Sequence, residues 1–184
     1  MTTAIKLPFT FDTVALKSDL EKIEPHEWVN HFNQLYYEGR WSGVALRSVN
    51  GAATQLYLDP TMSKSYAGTP VLDRCGYFKE VLGTFKCSLE SARLLKLDAG
   101  SRINEHRDFD LGFRYGVVRV HVPIQTSSDI EFFLNDERVV MDEGESWYLN
   151  LSLPHRVYNR GTTDRIHLVI DCVVNEWVKS LIEF

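Results

Sequence analysis

His106, Asp108, His155 and Arg165 are the residues of this chain whose types and spacing best suit chemistry. Two imidazoles and one carboxylate form the ligand set of a non-haem Fe(II) site that keeps coordination positions open. His106 and Asp108 lie one residue apart in Glu105-His106-Arg107-Asp108. On an extended segment, side chains two residues apart point the same way, so both can reach one metal. His155, in Ser152-Leu153-Pro154-His155, lies far downstream and must arrive from a neighbouring strand. Alone, a His-x-Asp pair also describes an ordinary surface ion pair. Arg165 follows His155 by ten residues and changes that balance. Its planar guanidinium can grip a carboxylate through two parallel hydrogen bonds, which makes it a candidate anchor for an acidic cosubstrate. The competing reading of Arg165 is a surface salt bridge with Asp142, Asp164 or Asp171.

A second group surrounds these four. In Val117 to Ile124, one strand face carries Val118, Val120, Val122 and Ile124, and the other Val117, Arg119, His121 and Pro123. If Arg119 is buried, it needs an anionic partner, because an unpaired buried charge is costly. If this face looks outward, Arg119 is a solvated surface residue. His167 shares the alternation of Arg165 and reads as a core histidine with polar partners. Arg93, Trp147 and Asn150 are candidate substrate contacts, although aromatic residues such as Trp147 and Trp41 more often belong to the core. Tyr36, Tyr37 and Arg40 form part of a lid or an exposed end.

Several elements must position these side chains. Short helices are expected over Ser18 to Ile23, with Ser18 as N-cap, and over Pro25 to Tyr37, where Trp28, Phe32 and Leu35 recur at helical spacing. Trp41 to Ser48 and Thr54 to Leu58 read as a hairpin across Asn50-Gly51. A loop follows over Asp59 to Pro70, then a helix over Leu72 to Leu82. Beyond Ser91 the pattern is strand-rich: Ala92 to Leu97, Val117 to Ile124, Ile130 to Leu134, Arg138 to Met141 across an Asn135-Asp136 turn, Ser146 to Leu151, and Ile166 to Val173. An amphipathic helix is expected from about Asn175, with Trp177, Leu181 and Phe184 on one side. Many short strands and no βαβ alternation indicate a mainly β sandwich or barrel, a jelly roll carrying N-terminal helices and a C-terminal helix. One domain is expected over 1–184: a mixed N-terminal part (1–90) packed on the core, a jelly-roll core with the site (91–174) and a terminal helix (175–184).

Bulk properties narrow the class. The 184 residues are 44% hydrophobic, enough for one sizeable core. A net charge of -5 and a pI near 5.7 give no electrostatic case for nucleic acid or an anionic membrane. No apolar run reaches transmembrane length, and Met1 to Lys6 lacks signal-peptide character. Cys75, Cys87 and Cys172 are few and scattered, as in a reducing compartment, so a cytoplasmic location is the expectation. There is no phosphate-binding glycine motif and no nucleophile elbow.

From Ala92 to Asp171 the chain resembles the aspartyl/asparaginyl β-hydroxylase family of Fe(II)- and 2-oxoglutarate-dependent oxygenases, especially its bacterial cis-proline hydroxylase branch. The matching stretches are Glu105-His106-Arg107-Asp108, Arg119-Val120-His121, Gly144 to Asn150, Ser152 to His155, and Arg165 to Asp171, in the family's order. Gly39-Arg40-Trp41 also looks like a feature of that branch. The resemblance implies a double-stranded β-helix (a cupin-like jelly roll), Fe(II) held by His106, Asp108 and His155, and 2-oxoglutarate held by Arg165 with Arg119 and His121 in contact. It also implies O2 as oxidant and hydroxylation of an amino acid, an amino-acid derivative or a peptidyl residue. The carboxylate ligand Asp108 fits the proline-hydroxylase-like branch better than those aspartyl-branch members that have two histidines only. The chain lacks the extra C-terminal region of some free-proline hydroxylases, which leaves the substrate open. Two other readings compete: a cupin-like metal enzyme without 2-oxoglutarate, using His121 as an added ligand, and a non-catalytic jelly-roll binding module.

Overall fold

A computed structural model describes residues 3–56 and 65–182. In chain order the elements are β1 (Ala4–Thr10), α1 (Thr13–Leu20), β2 (Val29–Asn30), β3 (Tyr37–Glu38), β4 (Trp41–Val49), β5 (Tyr66–Gly68), α2 (Pro70–Arg74), α3 (Gly76–Gly83), β6 (Leu89–Leu97), β7 (Arg102–His106), β8 (Val117–Gln125), β9 (Ile130–Leu134), β10 (Glu137–Val139), β11 (Glu145–Leu149), β12 (His155–Asn159), β13 (Arg165–Val173) and α4 (Glu176–Ile182). The strands form two antiparallel sheets. The larger runs β1-β11-β8-β13-β6-β4-β2, with β5 also on β4, and the smaller runs β10-β9-β12-β7-β3. This is the mainly β jelly roll expected from the sequence.

Period-two alternation places two cores on the two faces of the large sheet. On one face Val118, Val120, Val122 and Ile124 of β8 join Leu168 and Ile170 of β13 and Phe78, Val81 and Leu82 of α3. On the other, Leu95, Leu97, Leu149 and Val169 meet Ile103, Phe132, Leu134 and Val157 of the small sheet. The polar residues that share this second face, Arg93, Arg119, His121, Arg165, His167 and Asp171, are therefore inside the sandwich. Strand facing, which alternation alone leaves open, is settled inward for Arg119.

The N-terminal half differs most from expectation. Pro25 to Tyr37 is not a helix. It holds single 3-10 turns at Pro25–Glu27 and Gln34–Tyr36, between which Val29–Asn30 pairs with Ser42 and Gly43 of β4. Tyr37–Glu38 then pairs with Ile103 and Arg102 of β7. The segment crosses from an edge of one sheet to an edge of the other, and that pairing outweighs the helical spacing of Trp28, Phe32 and Leu35. Leu35 is 87% exposed, so the spacing does not mark a buried face. The first helix is capped by Asp12, whose Oδ1 accepts from Val14 and Ala15 N–H, and Ser18 lies inside it.

Asn50 and Gly51 do adopt the left-handed turn conformation (φ 55° and 69°), as hairpin turns of this kind require. The strand that returns to β4 is Tyr66–Gly68, however, and Thr54 to Leu56 is not a strand. Leu58 and Asp59 to Lys64 lie outside the described residues. The Leu72 to Leu82 helix is two helices broken at Cys75 (φ -108°, ψ 83°), with the first capped by Thr69. The Asn135-Asp136 turn forms as expected (φ 51° and 63°). Strand β1 was not expected, while the extended segment expected at His106 and the neighbouring strand expected at His155 are β7 and β12. The terminal helix buries Val178 and Ile182, with Trp177 and Leu181 half-buried and Phe184 outside the described residues.

Candidate active site

His106 ends β7 and His155 begins β12. These strands pair antiparallel with His155 opposite His106, which sets the imidazoles side by side with ring centroids 4.2 Å apart. Asp108 lies two residues beyond β7, held by its N–H donating to Leu151 O at 2.9 Å. One ligand atom from each of the three lies within 4.8 Å of the others, and His106 Nε2 faces Asp108 Oδ1 at 3.7 Å. Backbone carbonyls fix both rings: His106 Nδ1 meets Asn104 O at 2.9 Å, and His155 Nδ1 meets Leu153 O at 3.0 Å. A carbonyl only accepts, so each Nδ1 carries the proton and each Nε2 lone pair is free to bind a metal. Burial pushes the His155 imidazole down to about 4, which keeps it neutral near pH 7. Tyr36 packs on His106 from the chain crossover, with centroids 4.9 Å apart.

Arg119 backs the carboxylate. Its Nη1 donates to Asp108 Oδ2, and its Nε and Nη2 donate to Asp171 Oδ1 and Oδ2 at 2.7 and 3.0 Å. Asp171 sits opposite Arg119 in the β13–β8 register. It also accepts from Ser91 Oγ at 2.7 Å and from Arg93 Nη1 at 3.2 Å. Nearby Arg119 and Arg93 hold the Asp171 carboxyl well below the usual carboxylate range despite its burial. Arg119, expected as a cosubstrate contact, donates from Nε, Nη1 and Nη2 to two carboxylates of the protein.

Arg165 has a different environment. It is 3% exposed and makes no salt bridge among the described residues. Its Nη2 meets His167 Nδ1 at 3.0 Å, its guanidinium lies 5.7 Å from the Phe132 ring centre, and its Nε has no partner. The surface ion pair with Asp142, Asp164 or Asp171 does not form. Burial alone pushes the guanidinium down to about 9, the mark of a charge with no counter-ion. His121 Nδ1 meets His167 Nδ1 at 3.3 Å, and the Nε2 atoms of both rings are buried without a partner. Burial drives both imidazoles well below their ordinary value, so both are neutral. His121 belongs to this cluster and not to the three-residue group that can hold a metal. A cavity of about 270 Å³ reaches His167 and is also lined by Phe132, Met141 and Thr126.

The remaining candidates have other partners. Trp147 Nε1 donates to Glu145 at 2.8 Å, and Asn150 Oδ1 accepts from Ser152 Oγ at 2.6 Å in the turn leading to His155. Arg93 is buried beside Asp171, with 11% of its side chain exposed. Two residues missed in the sequence stand close by. Asp171 shares the alternation of Arg165 and His167, a signal that could have found it. His31 stacks on Trp41 at 3.6 Å, and burial, with Arg93, His106 and Arg119 nearby, pushes it down to about 4. It lies in the segment misread as a helix, where no local signal marked it.

The fold is a jelly roll in which two histidines and one carboxylate converge closely enough that they could hold one metal ion. Comparison with known sequences narrows the class. The profile of the aspartyl/asparaginyl β-hydroxylase family matches residues 12–174, and the chain belongs to that family. It is 26% identical over 174 residues to an L-proline cis-4-hydroxylase from Rhizobium meliloti (strain 1021), an alignment covering 94% of this chain and 61% of that protein. The chain therefore spans less than two thirds of this curated relative. Among solved structures, the nickel- and 2-oxoglutarate-bound HygX from Streptomyces hygroscopicus is similar with a TM-score of 0.57 at 14% identity, covering 95% of this chain and 84% of that one. The viral collagen prolyl hydroxylase of Paramecium Bursaria Chlorella virus-1, in its 2-oxoglutarate complex, gives 0.53 at 10% identity, covering 94% and 97%. These likenesses show the fold.

Proposed function

We propose that this protein is an Fe(II)- and 2-oxoglutarate-dependent hydroxylase acting on an amino acid, an amino-acid derivative or a peptidyl residue. One observation carries the reading: a buried arginine without a counter-ion among the described residues, Arg165, shares the sandwich interior with a His-Asp-His cluster that could hold a metal. His106, Asp108 and His155 would hold the metal, and their donor set suits Fe(II) with positions left open. The metal with 2-oxoglutarate and O2 would supply the oxidising power for C–H hydroxylation, yielding succinate and CO2.

The chain's own residues bind, orient and exclude water. The carbonyls of Asn104 and Leu153 hold the two imidazoles in the ligating tautomer. Arg165 would take the distal carboxylate of 2-oxoglutarate, with neutral His167 and His121 beside it as polar wall. Phe132, 5.7 Å from Arg165 and stacked 6.4 Å from His155, gives the space between them an apolar side. Near the metal cluster, Asp108 and Asp171 balance Arg93 and Arg119. A divalent ion, Arg165 and a dicarboxylate cosubstrate then leave one positive charge in excess. A substrate carboxylate close to Arg93 would meet it. The curated relative's substrate is proline, and the site's charge agrees with a small carboxylate-bearing molecule. Among the described residues no helix is long and apolar enough to cross a membrane.

The test is an anaerobically reconstituted protein, given O2 and screened against free amino acids, derivatives and short peptides with succinate as readout. Substrate-stimulated succinate is expected, lost in His106→Ala and reduced in Arg165→Ala through weaker 2-oxoglutarate binding. Equal succinate from the wild type and both variants would overturn the assignment.

A further inference from the structure

We propose that Asp171 is a positioning residue for the metal site, acting through Arg119 to present Asp108 as a one-oxygen ligand. The inference rests on the metal reading above and deepens it.

The geometry is a chain of three side chains. The two oxygens of Asp108 have separate tasks: Oδ1 faces His106 Nε2 at 3.7 Å, on the side where the cluster converges, and Oδ2 accepts from Arg119 Nη1. A carboxylate with one oxygen held by a guanidinium has the other left for a metal. Arg119 must itself be held, since a free arginine side chain has many rotamers and would also be drawn toward solvent or an incoming anion. Asp171 supplies that hold through two parallel bonds from Nε and Nη2. The planar fork fixes the direction of Nη1, which a single-point contact would not.

Asp171 is in turn over-determined. It is 5% exposed, lies on β13 opposite Arg119, and accepts further bonds from Ser91 and Arg93 across β6. Three adjacent strands of the large sheet, β6, β13 and β8, thereby set the one metal-facing residue that lies beyond a strand end. His106 and His155 need no such device, because their strands and carbonyls already fix them. Arg119 is committed to these two carboxylates, so its effect on 2-oxoglutarate is indirect, and Arg165 is left as the anion's own partner.

The test is Co(II) binding to full-length wild-type protein and Asp171→Asn, read by the visible absorption of the bound ion and by calorimetry, with matched thermal melts to confirm folding. Outer partners of metal ligands are worth about 10- to 100-fold in metal affinity, and a Co(II) Kd raised by about that factor is expected. At saturating Co(II), 2-oxoglutarate affinity should change far less than metal affinity. A folded Asp171→Asn with wild-type Co(II) affinity, or a loss that falls on 2-oxoglutarate while Co(II) affinity is kept, would overturn the proposal. If Asp171→Asn does not fold, Asp171→Glu, which keeps the charge and Arg119 but displaces the carboxylate that orients it, is titrated for the same outcomes. A wild-type protein that binds no Co(II) would instead contradict the metal reading itself, which separates the two failures.

Discussion

Two buried polar clusters share the inside of this sandwich, and they are built on opposite terms. In the first, Asp108, Arg119, Asp171 and Arg93 form a run in which every charge faces an opposite one. In the second, Arg165 meets neutral His167, which in turn meets neutral His121, and no anion among the described residues. The first is complete as it stands, and its work is to hold a ligand oxygen still. The second is incomplete, and its unpaired guanidinium favours whatever anion of suitable shape arrives. A protein of this size rarely tolerates a buried charge without compensation, so the incomplete cluster points to a ligand more strongly than the complete one does.

Removing one arginine from each cluster gives the sharpest contrast. Arg119→Met leaves Asp108 without its guanidinium and the buried Asp171 with Arg93 as its one remaining cation among the described residues, and should cost about 3–5 kcal/mol in urea unfolding of the metal-free protein. Arg165→Met removes a buried charge with no counter-ion among the described residues, and should raise stability by about 1–4 kcal/mol in the same experiment while weakening 2-oxoglutarate binding at least about tenfold. Equal destabilisation by the two substitutions would erase the distinction between the clusters.

Acid should act chiefly on the buried neutral histidines, two of which, His121 and His167, belong to the second cluster. His121 and His167 are depressed well below 6.5, and His155 and His31 to about 4. Below 6.5 the unfolded chain takes up protons that the folded chain refuses, so this stability is whole above 6.5 and is lost as pH falls toward 4. Melting temperatures of the metal-free protein should drop over that window, and His167→Gln should flatten the drop. A melting temperature constant from pH 7 to pH 5 would contradict neutral burial. The smallest effect is expected at the periphery of the first cluster. Ser91→Ala removes one of several donors to Asp171 and should cost about 0.5–1.5 kcal/mol, with metal affinity little changed.

The site was more legible in the sequence than the scaffold around it. His106, Asp108, His155 and Arg165 stand in short motifs whose chemistry is local, and the alternation of β8 and β13 was enough to group Arg119 with His121 and Arg165 with His167. The facing of those strands was not legible, because period two does not say which side is inside. Arg119's partner was equally hidden: Asp171 meets it only through cross-strand register. Pro25 to Tyr37 failed for a related reason, since its apolar spacing fits a helix while its backbone is claimed by the edges of two sheets. Strands β7 and β12 are short and polar at the site end, so hydrophobic pattern could not announce the two elements that carry the histidines.

The most direct test of the central claim is optical. Anaerobic wild-type protein loaded with Fe(II) is titrated with 2-oxoglutarate, and the metal-to-ligand charge-transfer absorption is followed. The account predicts a saturable band in the wild type, the same band at much higher 2-oxoglutarate in Arg165→Met, and none in His106→Ala. Folded, iron-loaded wild-type protein that develops no band, or Arg165→Met that saturates as the wild type does, would contradict it.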